Sequence, residues 1–264
     1  MNKRSIGIMW TVIALAIILV IIYGVKPRQV AAPAVSGTSS DQTGANNGNA
    51  ATTTPVVMMN INETASTSPT VTVGYPSFPT LSKTFNEEIA TATLSRLAEF
   101  RQNVADNSAA RDATSHGEAA LPMSDYSFLA AWTTARVDMR YVSGIERYDS
   151  FVGGANDNVE LQTFNYDIST GRELTLANLF PGVNDYLQKI AVLSKTMLVK
   201  HFAEVAPDYT DTIGMLDGGT AATADNFSAF TFTDKDVTIY FPKYAVAPGS
   251  FGEQSVTISR DLIK

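Results

Sequence analysis

Residues 6–25 read IGIMWTVIALAIILVIIYGV and carry no charged side chain, although Arg4 and Lys26 stand on either side. At about 1.5 Å of rise per residue, a helix of about 20 residues matches a hydrocarbon core of about 30 Å. Such a helix also satisfies its own backbone hydrogen bonds, as lipid requires. The stretch therefore predicts a transmembrane helix. Trp10 and Tyr23 lie toward its ends, where amphipathic rings suit the headgroup region.

A cleaved secretory signal is the alternative interpretation of this stretch. A signal has an apolar core of about 7–15 residues, closely followed by a small-residue cleavage site. Here Lys26, Pro27 and Arg28 come next, and the first A-x-A triplet, residues 32–34, is late. The flanking charges favour a cytoplasmic N-terminus slightly, and the short segment 1–5 is typical of a signal-anchor. We therefore expect a single-pass plasma-membrane protein whose C-terminal bulk is extracytoplasmic.

Composition excludes several functions. The 264 residues include no Cys and two His, with a formal charge of −7. Without Cys there is no disulfide, thiolate nucleophile or Cys-based metal site, and two distant His make a zinc site improbable. The acidic balance argues against binding to nucleic acid or to anionic lipid. Four acidic residues, Asp208, Asp211, Asp217 and Asp225, lack the spacing of a calcium loop. We predict no cofactor and no metal.

Residues 26–55 are dominated by Ala, Thr, Ser, Gly and Asn. Such a tract buries too little apolar surface to offset the entropy cost of ordering, which predicts a flexible linker. Behind it we expect an N-terminal part, residues 56–125, with two strands and a helix. A second part, residues 126–264, is expected to be α+β.

Hydrophobic periodicity predicts the elements of the folded region. Strands are expected at residues 56–61, 70–75, 126–134, 136–151, 159–168, 173–176, 227–233, 237–241 and 255–259. One main helix is expected from between residues 79 and 84 to near 105, and the other over residues 184–202. Residues 106–125 and 204–224 are interpreted as loops. This order predicts an α+β fold with a mostly antiparallel sheet and two main helices packed on it.

Two patterns carry most of this prediction. The first helix has an apolar stripe of Leu81, Phe85, Ile89, Leu97, Phe100 and Val104, at steps of 3, 4 or 8. The strand at 136–151 alternates, with Val137, Met139, Tyr141 and Ile145 on one face and Asp138, Arg140 and Glu146 on the other. Residues 159–168 break the alternation, which predicts a bulge or burial on both faces.

Three sequence patterns occur together in the folded region. The first joins Tyr-Pro at 75–76 to FNEEI at 85–89. The second joins Tyr148 and Gly-Gly-Ala at 153–155 to FNYD at 164–167, TGRELTL at 170–176 and LF at 179–180. The third joins IYFPKY at 239–244 to APG at 247–249 and VTI at 256–258. Over about residues 69–264 the chain resembles the extracytoplasmic domain pair of RsiV-type lysozyme-sensing anti-sigma factors and of the N-terminal part of PdaC-type peptidoglycan deacetylases.

The sequence also departs from these families. Their Gly-Gly-Ala loop commonly continues with His, whereas Asn156 stands here. Residues 1–5 are too few for the sigma-binding segment of an RsiV-type regulator, and no deacetylase domain follows Lys264. The resemblance therefore implies the shared recognition module without either known output.

The first functional hypothesis is a non-catalytic binding or sensing module that recognises a lysozyme-like protein or peptidoglycan. The expected ligand-binding residues are Tyr148, Gly153, Gly154 and Asn156. The structural alternative is that the glycines serve a hairpin that needs positive φ. An acidic face would also attract a basic protein.

Two other hypotheses remain open at this stage. The sequence has no G-x-S-x-G, S-x-x-K or H-E-x-x-H motif, which argues against an enzyme. A wall-acting hydrolase or deacetylase-related enzyme with an unmarked pair of carboxylates is the catalytic alternative. A structural envelope protein that works by self-association is the third hypothesis.

Overall fold

A six-stranded sheet forms the larger part of the computed structural model, which describes residues 54–65, 68–114, 125–153, 157–208, 210 and 214–264. Its strands lie in chain order: β1 (Val57–Ala65), β2 (Ser68–Ser77), β3 (Ser127–Val137), β4 (Tyr141–Phe151), β5 (Asn158–Asp167) and β6 (Arg172–Glu173). Strands β2 and β3 are parallel, and the other neighbours are antiparallel. The second, three-stranded antiparallel sheet contains β7 (Phe230–Phe232), β8 (Asp236–Phe241) and β9 (Gln254–Ser259).

Four α-helices accompany the described strands. They are α1 (Lys83–Thr114), α2 (Leu176–Leu179), α3 (Tyr186–Val205) and α4 (Met215–Gly219). Short 3-10 helices occur at Asp225–Phe227, Gly249–Phe251 and Arg260–Leu262. The predicted α+β class with mostly antiparallel pairing is confirmed. The strands nevertheless divide into two sheets, and β2 and β3 are parallel because helix α1 connects them as a crossover.

Helix α1 buries the predicted stripe against one face of the large sheet. Phe85, Ile89, Leu97, Phe100 and Val104 are all buried. The helix is longer than predicted, because residues 106–114, expected in a loop, continue it. These residues are polar and Ala-rich, so they give no apolar periodicity, and a hydrogen bond from Asn107 Nδ2 to the Val152 carbonyl (2.8 Å) holds this end.

The predicted strand at 136–151 is wrong at its start. Arg136 and Val137 end β3, and a turn precedes β4. Asp138 causes this turn, because its Oδ1 accepts the backbone N–H groups of Arg140 and Tyr141, both at 2.7 Å. Met139, expected on the buried face, is 68% exposed in the turn.

The second sheet docks on the other face of the large sheet through polar side chains. Ser143 Oγ accepts the Phe232 N–H (2.9 Å) and donates to Asn165 Oδ1 (2.7 Å). Asn165 Nδ2 donates in turn to the Phe230 carbonyl (2.8 Å), and the Phe230 N–H reaches Thr163 Oγ1 (3.3 Å). Strand β7 thus hydrogen-bonds to side chains of β4 and β5.

This docking explains the irregular pattern of β5. The β4–β5 register is continuous from Tyr141↔Asp167 to Ser150↔Asn158, so β5 has no bulge. Phe164 belongs to the core under α1. Both faces of the strand are therefore covered along its C-terminal half.

The predicted transmembrane helix (6–25) and most of the predicted linker (26–55) lie outside the described residues. Within the part that the structure describes, no helix combines the length and apolarity that a membrane span requires.

Candidate functional site

A cleft of about 290 Å³ lies where the end of the large sheet meets α2, α3 and the 3-10 helix Asp225–Phe227. Strands β5, β6 and β7 supply one wall. The lining residues are Thr163, Asn165, Glu173, Leu174, Thr175, Leu176, Ala177, Tyr186, Leu187, Ala224, Asp225, Phe227, Ser228 and Phe230. Concave surfaces that combine apolar walls with a few polar groups are the usual binding sites of small ligands.

One wall is shaped by the tight connection from β5 through β6 into α2. The Gly171 backbone has φ of 68°, a conformation that glycine adopts without strain. Asp167 Oδ1 accepts the Ser169 N–H (2.8 Å) and stabilises the same turn. The Leu174 N–H then bonds the Asn165 carbonyl (2.8 Å), so β6 and the residues after it are held beside β5.

The start of α2 is fixed by a reciprocal cap. Asn178 Oδ1 accepts the Thr175 backbone N–H (2.7 Å) and lies 2.8 Å from Thr175 Oγ1. The Thr175 backbone N–H, which has no partner within the helix, is thereby hydrogen-bonded. The cap holds Thr175 at the cleft lining.

The short 3-10 helix supplies another part of the lining. Phe227 is 0% exposed and anchors this helix in the core under the second sheet. Asn226 Nδ2 donates to the Gly218 carbonyl (2.8 Å) and the Ala221 carbonyl (3.0 Å), which ties the segment to the end of α4. Asp225 is left exposed at the cleft.

One acidic side chain, Asp225, is exposed at the cleft, and none of the described lining residues is Lys, Arg or His. Glu173 also lines the cleft, but it pairs with Tyr166, which stacks on Phe85 of α1, so its side chain lies on the α1 face of the sheet. There, burial first and then the charge of Glu173 raise the pKa of Glu88 on α1. Carboxylates accept hydrogen bonds, and the hydroxyl groups of Thr175 and Ser228 both donate and accept. The arrangement suits a ligand rich in O–H or N–H donors and disfavours an anion.

Tyr148, the predicted ligand-binding aromatic residue, lies at a different place. It lines a groove of about 50 Å³ beside Arg96 and Glu160. Arg96 on α1 forms an ion pair with Glu160 of β5 (2.9 Å) and another with Glu99 on its own helix (3.0 Å). Tyr148 itself is 3% exposed, and its hydroxyl donates to Glu146 Oε2 (3.0 Å).

Glu146, a residue of β4, is fully buried against α1. The Thr93 hydroxyl lies 2.8 Å from both of its carboxyl oxygens and 2.9 Å from the Ile89 carbonyl. Burial raises the pKa of Glu146 to about 7, although hydrogen bonds from Thr93 and Tyr148 oppose the rise. Burial, followed by the nearby Glu146 charge, also raises the pKa of Tyr148 and Tyr75.

The other predicted site residues are only partly described. Gly153 has a φ of 87°, which is the positive φ that the structural alternative requires of a glycine in this hairpin. Gly154 and Asn156 lie outside the described residues. Tyr148 and Gly153 do not line the larger cleft, and a ligand-binding role for these residues stays a prediction.

Sequence reasoning missed both the cleft and the buried carboxyl group. Glu173 was expected in a strand and Tyr186 in a core stripe, and Asp225 was considered only among four acids that lack the spacing of a calcium loop. The sequence did contain a signal for Glu146. The apolar stripe of α1 steps by eight residues from Ile89 to Leu97, and Thr93 occupies the position between them on the same face. A hydroxyl at a buried helix position needs a partner on the facing sheet. Among the side chains that the structure describes, no three His, Cys, Asp or Glu residues are grouped to hold a metal ion.

Comparisons with known proteins support the resemblance found in the sequence. Residues 177–261 match the model of DUF3298, a family described as a protein of unknown function. A stretch of 114 residues is 35% identical to the peptidoglycan-N-acetylmuramic acid deacetylase PdaC of Bacillus subtilis. The resemblance to the PdaC-type domain family is confirmed. The match covers 43% of this chain and 23% of PdaC, so it relates the chain to one segment of that protein.

Two solved structures of DUF3298 family members are similar to this chain. The chain is similar to the crystal structure of a DUF3298 family member from Bacteroides fragilis, with a TM-score of 0.51 and 17% identity over 79% of this chain and 91% of that one. A DUF3298 family protein from Pseudomonas aeruginosa gives a TM-score of 0.46 and 15% identity over the same shares. At these identities the Bacteroides structure supports the DUF3298 fold alone.

Proposed function

We propose that this chain is a membrane-anchored, extracytoplasmic binding module of the cell envelope that recognises peptidoglycan without chemically altering it. The observation that carries the proposal is the cleft, with a volume of about 290 Å³, beside the DUF3298 segment. Most of its helical and 3-10 lining residues, including Tyr186 and Asp225, fall within the matched residues 177–261. The relative PdaC acts, by its name, on peptidoglycan N-acetylmuramic acid.

The chemistry of the cleft supports a glycan ligand. Sugars present several hydroxyl groups, which carboxylate, amide and hydroxyl side chains can bind. Asp225, Thr175 and Ser228 are lining residues with such groups. The half-buried ring of Tyr186 adds a flat apolar surface against which one face of a sugar ring can pack.

A lysozyme-like protein is the competing ligand. The formal charge of −7 favours association with a basic protein by electrostatic steering. A stable protein interface, however, needs about 800 Å² from each partner, most of it outside a cleft of this size. A cleft of this size therefore favours the glycan as ligand. The binding test nevertheless includes lysozyme as the competing ligand.

The binding test uses the purified full chain in detergent. Retention on insoluble purified peptidoglycan is measured beside binding to lysozyme. We expect retention of the wild type and at least tenfold weaker retention of the Tyr186→Ala variant. Asp208→Asn, an exposed substitution outside the cleft lining, is the control and should bind normally. Binding to lysozyme alone, or equal retention of all variants, would overturn the proposal.

The non-catalytic part has its own test. The full chain is incubated with peptidoglycan, and released acetate and soluble muropeptides are measured over time. We expect neither product above the level given by the Tyr186→Ala variant. Release of either product that depends on Glu173 or Asp225 would favour the carboxylate enzyme considered from the sequence.

The anchor and its orientation form the remaining part of the proposal. Residues 6–25 would insert in the bilayer with the N-terminus in the cytoplasm, and residues 26–55 would tether the folded part outside. Protease added to intact cells should then remove a C-terminal tag. Full protection of the tag in intact cells, with digestion after lysis, would place the module on the cytoplasmic side.

Self-association is a second candidate function, because the described edge strand β1 is exposed and apolar. Val57, Met58 and Met59 of β1, and Val56 just before it, are 39–49% exposed, and β1 is the outermost described strand of its sheet. An open edge can pair with a second copy of itself about a two-fold axis. Sedimentation of the full chain over a concentration series tests this. A mass that rises with concentration, and does not rise for Met59→Lys, supports it, whereas a constant mass excludes it.

A further inference from the structure

We propose that one end of the large sheet contacts the lipid bilayer through exposed apolar and basic side chains. Three segments form this end, which we call the tether end: residues 54–59 at the start of β1, residues 138–140 in the β3–β4 turn, and residues 168–172 in the β5–β6 turn. The inference rests on the anchored arrangement of the proposed function and goes beyond it. It gives the anchored protein a second, peripheral membrane contact that fixes which end of the folded part faces lipid.

Hydrogen bonds bring the three segments of the tether end together. Thr54, the first described residue, is 9% exposed, and its Oγ1 donates to the Asp138 carbonyl (2.7 Å). This bond holds the residues just before β1 against the β3–β4 turn. The Ile168 N–H donates to the Arg140 carbonyl (2.7 Å), which joins the β3–β4 turn to the β5–β6 turn. The chain therefore enters the folded part at the end of the sheet where both turns lie.

The tether end carries large apolar side chains that the fold leaves in water. Val57, Met58 and Met59 are 39–49% exposed, and Met139 in the β3–β4 turn is 68% exposed. Successive residues of a strand point to opposite faces, so the start of β1 exposes apolar side chains on both of its faces. A group of exposed apolar side chains is typical of a surface that contacts a protein or a membrane.

The two turns of the tether end present basic side chains outward and use their acids internally. Asp138 accepts two backbone N–H groups of its own turn, and Asp167, which is 6% exposed, accepts the N–H groups that follow it. Arg140 lies 3.9 Å from Asp167, yet its side chain is 64% exposed, and Arg172 is also exposed. Guanidinium groups at a membrane surface can bind lipid phosphates, while neighbouring apolar side chains enter the headgroup region.

The position of this surface in the chain selects the bilayer as its partner. The predicted linker joins the tether end, at Thr54, to the predicted transmembrane helix at residues 6–25. A flexible chain of roughly 28 residues, the length from 26 to 53, has an average end-to-end distance of about 30 Å. Such a tether would hold this end close to lipid at a high effective concentration, so even weak contacts would be populated. Without the anchor the contact should be weak, because the formal charge of −7 opposes adhesion to anionic lipid.

The test uses the absence of Cys from the sequence, which lets one fluorescent label be placed at a chosen position. The full-length Val57→Cys variant is labelled and reconstituted in vesicles of phosphatidylcholine and phosphatidylglycerol that contain a lipid with a nitroxide quencher on its headgroup. Val205→Cys, at the last residue of α3 and 57% exposed, is the matched control. We expect at least threefold stronger quenching at Val57 than at Val205. Equal quenching at both positions would overturn the inference.

Further substitutions separate a true contact from the proximity that a tether alone imposes. Met139→Glu and Arg172→Glu, each combined with the Val57→Cys label, should lower the quenching at least twofold. Val199→Glu, on α3 and 49% exposed in the wild type, is the control and should leave the quenching unchanged. Circular dichroism of every variant checks that it is folded. No effect of the two tether-end substitutions, or an equal effect of the control, would overturn the inference.

The remaining outcomes distinguish this inference from the proposed function. A Val57 label that is insensitive to the quencher lipid, but changes as the protein-to-lipid ratio rises, would assign the surface to a second copy of the chain and overturn the membrane contact. Failure of the chain to float with the vesicles would overturn both the anchor and this inference. Retention on peptidoglycan is measured in detergent, so the binding function can stand if the lipid contact fails.

Discussion

Glu146 is a carboxyl group whose surroundings favour its neutral form. A hydroxyl group has one proton, so Thr93 cannot donate both to the Ile89 carbonyl (2.9 Å) and to Glu146 (2.8 Å). If Thr93 donates to Ile89, a protonated Glu146 can donate to Thr93, while Tyr148 donates to the other carboxyl oxygen (3.0 Å). Every group in this buried network then has a partner, which agrees with the raised pKa of Glu146.

Stability should therefore fall as the pH rises from about 4.5 to about 7, the range in which the unfolded state has lost this proton and the folded state still holds it. The pKa of Glu146 rises from 4.5 to about 7 on folding, so the folded state holds a proton that the unfolded state has lost. The free energy of unfolding contributed by Glu146 is intact below about pH 4.5 and declines by about 3 kcal/mol by pH 8. Denaturant unfolding of the full chain between pH 5 and pH 8 measures this decline.

The variant Glu146→Gln is the matched control, because glutamine is neutral at every pH and similar in size. We expect its stability to change less over the same range and to exceed that of the wild type at pH 8. If wild type and variant show the same pH profile, Glu146 does not hold a proton at neutral pH in the folded state.

Gly144 is required because an indole ring lies against it. A Cβ atom at this position would overlap the ring of Trp132, which packs between Phe78 and Phe164. We predict that Gly144→Ala lowers the free energy of unfolding by about 1–3 kcal/mol, since the packed ring has to move. In the control Gly218→Ala, a built Cβ meets no atom within 4 Å, and stability should be unchanged or slightly higher. Denaturation midpoints of the two variants give the comparison.

At the scale of elements, the two sheets are joined by a polar contact. Ser143 is fully buried, accepts the Phe232 N–H and donates to Asn165. Ser143→Ala would leave a buried backbone N–H without this acceptor. We predict a loss of about 1–3 kcal/mol in the free energy of unfolding, measured by urea denaturation.

The exposed hydroxyl pair of Thr238 and Thr257 (2.9 Å) supplies the control for that prediction. Thr257→Val removes a hydrogen bond of similar length on the second sheet but leaves its groups open to water. The change should stay within about 0.5 kcal/mol. Equal losses in both variants would mean that the Ser143 contact does not hold the sheets together.

Elements with strong periodicity were predictable from the sequence, and those held by polar side chains were not. The α1 stripe of Phe85, Ile89 and Leu97 required a helix, and burial confirms it. The end of α1 depends on a hydrogen bond from Asn107, and the β3–β4 turn depends on Asp138. Such contacts join residues that are distant in sequence or whose local conformation is ambiguous. Hydrophobic periodicity therefore does not reveal them. The division into two sheets depends on Ser143 and Asn165 in the same way.

At the scale of the whole molecule, the sequence predicted the family resemblance but not the cleft. Motifs directed attention to Tyr148, which lies in a separate small groove. The cleft brings Glu173, Tyr186 and Asp225 together from segments whose proximity depends on the docking of the two sheets. No local pattern marks these three residues as neighbours, because their contact is a property of the folded chain.

The proposed function requires that wall glycan binds in this cleft. Hydrogen–deuterium exchange of the full chain, with and without soluble peptidoglycan fragments, locates the bound glycan. We expect slower exchange at residues 173–177, 186–187 and 224–230, and unchanged exchange along β1 and around Tyr148. Protection confined to residues 147–153, or no protection at saturating fragment concentration, would contradict it.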